Sequence, residues 1–398
     1  MGTFNYAAQP TRSASSVAGS QRVGIGQKLA ALPWTLILLI AGVAITGTGM
    51  LFSVVYDNPV EAGLPMAHLI RFGIAFVVMM VLAVVPLSVW SKLALPIYLI
   101  SLALLVGVEM FGSVRGGAQR WLDVGPIAIQ PSEFMKLSLV LMLARYYHLA
   151  MARGPVGFFG HVPAVLLMLV PAALIFMQPD FGTTLTLLAA GGIIIFLAGL
   201  GWRVIAGGVL AGVLSVPMVY SYVLEDYQRE RVDTFLEQIA GESSDALGDG
   251  YQIEQAKIAV GSGGWRGKGY LEGTQTKLDY IPEQHTDFIL TVLAEELGFF
   301  GATGLMIAWA VILGWSLIIA MKCTSAFGRF AAAGAVGMVA FYIVFNVGMV
   351  LGLLPVVGVP MPLVSYGGTA MLTVMSAFGL VLSAHIHRGE TLARSGVI

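Results

Sequence analysis

Residues 33–55 read PWTLILLIAGVAITGTGMLFSVV, 23 positions without one ionisable side chain. At 1.5 Å per residue a helix over this run is about 34 Å long, enough to cross a hydrocarbon core of about 30 Å. The run lacks a small-residue cleavage site of the kind that ends a signal peptide, so it reads as an uncleaved first membrane helix. Working outward, nine more apolar stretches follow, at 66–89, 94–110, 132–150, 162–177, 181–200, 204–223, 285–321, 330–353 and 363–387. Together they predict an all-α, polytopic integral membrane protein of about ten transmembrane helices, with residues 31–390 forming a single membrane domain.

Composition agrees. Of 398 residues 57% are hydrophobic and 11% charged, whereas about a quarter of an ordinary soluble domain is charged. A net charge of −1 provides no concentrated basic face to offset phosphate charge, which excludes nucleic acid as a partner. The single cysteine, Cys323, has no partner for an intrachain disulfide and reads as a small apolar filler. Residues 1–30, rich in Ser, Gly and Gln with Arg12, Arg22 and Lys28, read as a disordered tail, and residues 391–398 as a second, short one.

An even number of spans puts both termini on one side, and the positive-inside rule selects the cytoplasm. Lys92, Arg145, Arg153, Arg203, Lys322, Arg329, Arg388 and Arg394 then all fall in short cytoplasmic segments, against Arg115 and Arg120 in a short outer loop and Arg71 at a helix start. The remaining polar insertion, the outer loop 224–284, is long enough to be functional or disordered. Within it, residues 251–260 alternate at helical spacing, as an amphipathic helix lying on the membrane surface would. No internal repeat supports an inverted-repeat transporter.

Ionisable groups inside spans are costly and therefore functional candidates. Glu133 and Lys136 at the start of the fourth span are three apart, a spacing that pairs them on one helix face. Asp180 starts the sixth span and has the position of a helix cap. Asp287 stands where the long loop re-enters the membrane, in IPEQHTDFILTVLAEELG. It is either a partly desolvated general base or an acid satisfying free backbone N–H groups at a helix start. Glu295 and Glu296, about 12 Å further along at helical rise, read as buried, paired structural acids. The eighth stretch, beginning at His285, is longer than one span needs, so its first turns must line a protein-walled or wet cavity.

Among the loops, GSVRGGAQRWLDVGP offers Arg115, Arg120 and Trp121. Arginine binds phosphate bidentately, and a tryptophan either stacks on a sugar or anchors at the headgroup level. GSGGWRGKGYLEGTQ, residues 261–275, has the glycines of a phosphate cradle with Arg266 and Lys268, although it lacks the P-loop pattern. Residues 352–370, GLLPVVGVPMPLVSYGGTA, break the helical pattern with three prolines. Such a break at membrane depth has to pack against protein, which makes it a candidate cavity wall. No metal-ligand spacing of the HExxH type occurs.

Several of these strings, taken in order, resemble the SEDS family (shape, elongation, division and sporulation). They are RGGAQRWLDVGPIAIQPSEFMKL at 115–137, QPDFGTT at 178–184, DYQRERV at 226–232, the run from IAVGSGGWRGKG to HTDFI at 258–289, and LPVVGVPMPLVSYGG at 354–368. GVPMPLVSYGG and DYQRERV are closer to the family's cell-elongation branch than to its division branch. The resemblance implies a peptidoglycan glycosyltransferase that polymerises lipid II at the outer face of the bacterial cytoplasmic membrane. It implies Asp287 as the essential acid and Arg120, Trp121, Glu133, Lys136, Asp180 and His285 as functionally sensitive positions. It also implies a class B penicillin-binding protein as partner, among other membrane proteins of the elongation complex.

Lipid II presents a disaccharide on a pyrophosphate whose tail stays in the membrane lipid, so a site at outer helix ends suits it. Glycan extension needs a base for the acceptor 4-hydroxyl and positive charge for the departing pyrophosphate. Asp287 is the expected base, and Arg115, Arg120, Lys136 or a divalent cation (Mg²⁺ or Mn²⁺) are the alternatives for the charge. A lipid II flippase is the competing reading; it favours charges through both leaflets. A scaffold that only docks a partner through its long loop leaves the buried acids without a task.

Overall fold

The computed structural model describes residues 24–392 apart from 59, 116–117, 125–126, 179, 223–228, 230–232, 234–248, 279 and 282. Residues 1–23 and 393–398, the DYQRERV string apart from Arg229, and most of 224–248 therefore lie outside the described residues, as does the side chain of Arg115.

A helix occupies each of the ten apolar stretches. They are α2 (Trp34–Val54), α3 (Leu64–Val84), α4 (Leu87–Phe111), α5 (Pro131–Met151), α6 (Val162–Met177), α7 (Phe181–Leu197), α8 (Trp202–Tyr222), α11 (Ile289–Met321), α12 (Ala326–Val350) and α13 (Gly368–Ile386). Seven are long and apolar enough to cross a membrane: α2, α3, α4, α6 with the 3₁₀ turn before it, α11, α12 and α13. Of the other three, α7 and α8 contribute shorter apolar segments, and α5 carries Glu133, Lys136 and Arg145.

Helix starts follow local chemistry. Pro131 opens α5, where its missing N–H is not needed. Asp180 caps α7 by accepting from Thr183 N at 3.2 Å, and Ser325 Oγ caps α12 by accepting from Gly328 N at 3.2 Å. The centre of the bundle is α12, which packs on α5, α7, α11 and α13 and is buried along most of its length. Cys323 is buried beside it, as a filler should be.

Four local expectations change. Residues Ile25–Ala30, read as tail, form a short helix, α1. The loop between α4 and α5 is a three-stranded antiparallel sheet of β1 (Ser113–Arg115), β2 (Ala118–Val124) and β3 (Ile127–Ile129). In the sequence, the dipeptides Gly-Gly and Gly-Pro at 116–117 and 125–126 are turn signals that fall between these strands. The amphipathic segment of the long loop is the helix α9 (Asp249–Gly263), with the one-turn α10 (Thr274–Lys277) after it. It packs on α11 and buries Ile253, Ala256 and Ala259, so its apolar side is spent on protein contact.

The fourth change concerns the long eighth stretch. α11 is two helices joined at Gly298, whose φ of 66° and ψ of −164° belong to glycine alone. The backbone groups released by the break are taken up by the loop after α9. Phe299 N donates to Gly264 O and Phe300 N to Trp265 O, while Lys268 N donates to Glu295 O and Gly269 N to Glu296 O. The N–H groups of Lys268 and Gly269 are thereby consumed, and Lys268 Nζ pairs with Glu295 Oε1 at 2.6 Å. The glycine-rich loop is thus a clasp on a broken helix and not a phosphate cradle.

Candidate active site

Asp287 lies in the turn before α11, one residue short of the N-cap position, Phe288. The turn closes through Thr286 N and Phe288 N, both donating to Glu283 O at 3.2 Å. The first bond of α11 is the tight Thr291 N to Phe288 O contact of 2.9 Å. The Asp287 carbonyl instead accepts from the side chain of Asn346 on α12, at 2.8 Å. The Asp287 side chain is half-buried, as the re-entry position implied.

The wall opposite is the helix-free segment between α12 and α13, the proline-rich break read from the sequence. Gly358 has φ of 71°, and a Cβ there would lie 3.8 Å from Asp287 Oδ2. Tyr366 N donates to the His285 carbonyl at 2.9 Å, and the two rings lie edge to face with centroids 6.4 Å apart. On its other side Tyr366 carries the Arg71 guanidinium, 4.2 Å from its ring centroid. One turn earlier on α3, the buried His68 places Nε2 3.2 Å from Leu363 O. The same segment meets α7, because a Cβ on Gly182 would be 2.4 Å from Val357 O. A single irregular strap thus joins Asp287, His285, Arg71 and the N-terminus of α7.

Two buried polar groups stand at the N-terminal ends of α5 and α7. Lys136 Nζ lies 2.6 Å from Glu133 Oε1 and also donates to the Tyr342 hydroxyl, which in turn donates to Glu133 Oε2 at 3.1 Å. Lys136, Glu133 and Tyr342 are all buried. Asp180, besides capping α7, accepts from Gln130 Nε2 at 2.9 Å and lies 3.7 Å from Arg120 Nη1. Arg120 Nε is buried without a protein partner among the described residues. Trp121 sits half-buried on β2, paired in register with Ser113.

The sequence-predicted residues therefore fall into three sets: Arg120 with Asp180, Glu133 with Lys136, and His285 with Asp287. The strap and α12 connect them. Glu295 and Glu296 are both buried; Glu295 is paired with Lys268 and also accepts from Gln275 N at 3.0 Å, while Glu296 accepts from Ser53 Oγ. Tyr342, Asn346, Tyr366 and His68 were missed, since a search for charges inside spans passes over neutral amides, phenols and a lone histidine. Two buried oxygens on the helices next to Asp287, Thr291 Oγ1 on α11 and Asn346 Oδ1 on α12, lack partners among the described residues. Neutral oxygens of this kind suit a hard divalent cation, but no three His, Cys, Asp or Glu side chains group as a metal shell among the described residues. A cavity of about 770 Å³, with Arg329 and His148 in its lining, lies at the opposite end of the bundle and includes none of these residues.

This arrangement defines a class: a many-helix membrane protein whose buried charges collect at one end of the bundle, around a broken helix and an irregular strap. The chain belongs to the FtsW/RodA/SpoVE family, whose model, described as cell cycle protein, matches residues 28–390. It is 43% identical over 318 residues to the peptidoglycan glycosyltransferase MrdB of Escherichia coli K12, covering 80% of this chain and 84% of that one. It is 37% identical over 299 residues to the stage V sporulation protein E of Bacillus subtilis, covering 74% and 78%. Among solved structures it is similar to a chain of a peptidoglycan synthase complex that coordinates polymerization and crosslinking. The TM-score there is 0.75 at 31% identity, over 90% of this chain and 99% of that one. It is also similar to the rod shape determining protein RodA of Thermus thermophilus, with a TM-score of 0.67 at 27% identity, over 90% and 98%.

Proposed function

We infer that this chain is a peptidoglycan glycosyltransferase of cell elongation, polymerising lipid II at the outer face of the bacterial cytoplasmic membrane. The observation that carries the mechanism is the placement of Asp287: a half-buried carboxylate in a turn outside the helix ladder, facing the Gly358 wall at the bundle end where the other charges collect. Asp287 takes the proton from the acceptor 4-hydroxyl as that oxygen attacks the anomeric carbon. The bond from that carbon to the pyrophosphate breaks, and undecaprenyl pyrophosphate leaves. One catalytic carboxylate suffices, because a pyrophosphate needs no protonating acid to depart.

The contacts of each cation support an order of candidates for the leaving group. Lys136 is engaged by Glu133 and Tyr342 and acts as structure. Arg120 is held to Asp180 at 3.7 Å and keeps a buried donor, Nε, for an anion. Arg71, stacked on Tyr366 beside His285, is a further cation on the same side. Mg²⁺ or Mn²⁺ would draw on the neutral oxygens of Thr291 and Asn346 and would supply positive charge for the departing pyrophosphate. In this reading the ten helices cross the membrane ten times, with both termini cytoplasmic. A class B penicillin-binding protein, the crosslinking partner of such a polymerase, joins at the outer side.

The test is polymerisation of purified lipid II by the full-length chain with its crosslinking partner. Asp287→Ala should lower the rate by at least about 100-fold, the range of a lost general base, while the protein stays monodisperse. Normal polymer from the folded variant would remove Asp287 from the mechanism. Adding EDTA should slow the reaction at least about tenfold, with recovery on Mg²⁺; a rate indifferent to EDTA sinks the cation.

A further inference from the structure

We propose that Asn346 is a positioning residue for the catalytic carboxylate, acting through the main chain of Asp287; this rests on Asp287 being the base. Asn346 lies within α12 and is fully buried. Its Nδ2 donates to the Asp287 carbonyl at 2.8 Å and to the Val359 carbonyl at 2.9 Å. The amide orientation is fixed by chemistry, because both neighbours are acceptors and a reversed amide would set its oxygen against two carbonyl oxygens.

The cost of this arrangement points to its purpose. Asn346 Oδ1 is buried without a partner among the described residues, a penalty that an apolar side chain of the same size would avoid. What the amide supplies is a bridge between two segments that have no ladder in common. One is the turn 283–288 that carries Asp287; the other is the strap, with Val359 next to Gly358. Gly358 is also the residue whose added Cβ would meet Asp287 Oδ2 at 3.8 Å. Together with the Tyr366 N to His285 O bond further along the strap, this NH₂ group sets the separation between the carboxylate and the wall it faces, and it is the tie at Asp287 itself. Tyr342, four residues earlier and on the same face of α12, holds Glu133 and Lys136. One helix face thus registers the buried ion pair of α5 against the catalytic turn of α11.

A group placed about 1 Å from its productive position loses on the order of 100-fold in rate. Asn346→Leu, which keeps the volume and removes both donors, should lower kcat by about ten- to a hundredfold. KM for lipid II should change by less than about twofold, because no substrate contact is lost. Asn346→Gln, with both donors on a longer arm, should regain part of that rate. Should the leucine variant fail to fold, Asn346→Ser is read by the same criteria. Wild-type kcat in a folded variant, or a loss carried by KM instead of kcat, overturns the proposal. If Asp287→Ala is inactive and Asn346→Leu is normal, only the positioning role fails; if Asp287→Ala is active, the assignment of the base itself fails.

Discussion

At the scale of single residues, the buried polar groups differ in what they leave behind when removed. Lys136→Met strands the Glu133 carboxylate in the interior, a change that costs about 3–5 kcal/mol in comparable buried pairs. The melting temperature of the purified protein should fall accordingly, and Glu133→Gln added to Lys136→Met should restore more than half of the loss. An unchanged melting curve for the single variant would show that the pair adds nothing to the fold. Cys323 offers a different test. Burial pushes its thiol up to about 11, so at pH 8 only about one thiol in a thousand is the reactive thiolate. A raised thiol pKa keeps the neutral form across the physiological range. Maleimide labelling should be negligible in the folded protein and complete in denaturant. Rapid labelling before unfolding would contradict the packing around this residue. Glu133, Lys136, Asp180 and Asp287 were legible because an ionisable side chain is conspicuous in an apolar span. Asn346 was not: its importance lies in two main-chain carbonyls that no side-chain pattern announces.

At the scale of elements, sequence and structure part where backbone conformation decides. The ten apolar stretches are helical because hydrophobicity over about 20 residues leaves the backbone little alternative. The length of the stretch from His285 signalled a departure from one simple span, but its site, Gly298, is one glycine among several in that run. The break becomes visible only when residues 264–269 supply the partners for the interrupted ladder. The small sheet before α5 was hidden in a similar way, since short strands without strong alternation read as loop until paired. The break yields a sharp expectation. A Cβ on Gly298 would lie 2.2 Å from Gly267 N, whereas one on Gly304 would meet nothing within 4 Å. Gly298→Ala should cost about 1–3 kcal/mol from backbone strain alone, seen as a lower melting temperature and reduced folded yield. Gly304→Ala should match the parent protein, and equal behaviour of the two variants would mean that the clasp does not constrain the helix.

At the scale of the whole molecule, charge gives an expected orientation: a basic set of short segments at one end of the bundle, placed in the cytoplasm by the positive-inside rule, and the Asp287 turn at the other. The unreactive Cys323 makes this simple to examine, because an introduced thiol reports alone. Glu272→Cys, in the outer loop, should be labelled by a membrane-impermeant maleimide in intact cells. Lys322→Cys, at the far end of α11, should be labelled only after lysis. The reverse pattern would invert the topology and put the site in the cytoplasm. The clasp at Gly298 also bears on mechanics. The half-helix from Ile289 to Leu297 is held at one end by residues 264–269 and carries the Asp287 turn at its other end, so it has the form of a short lever. Whatever grips residues 264–269 holds one arm, and the other arm carries the proposed base, Asp287.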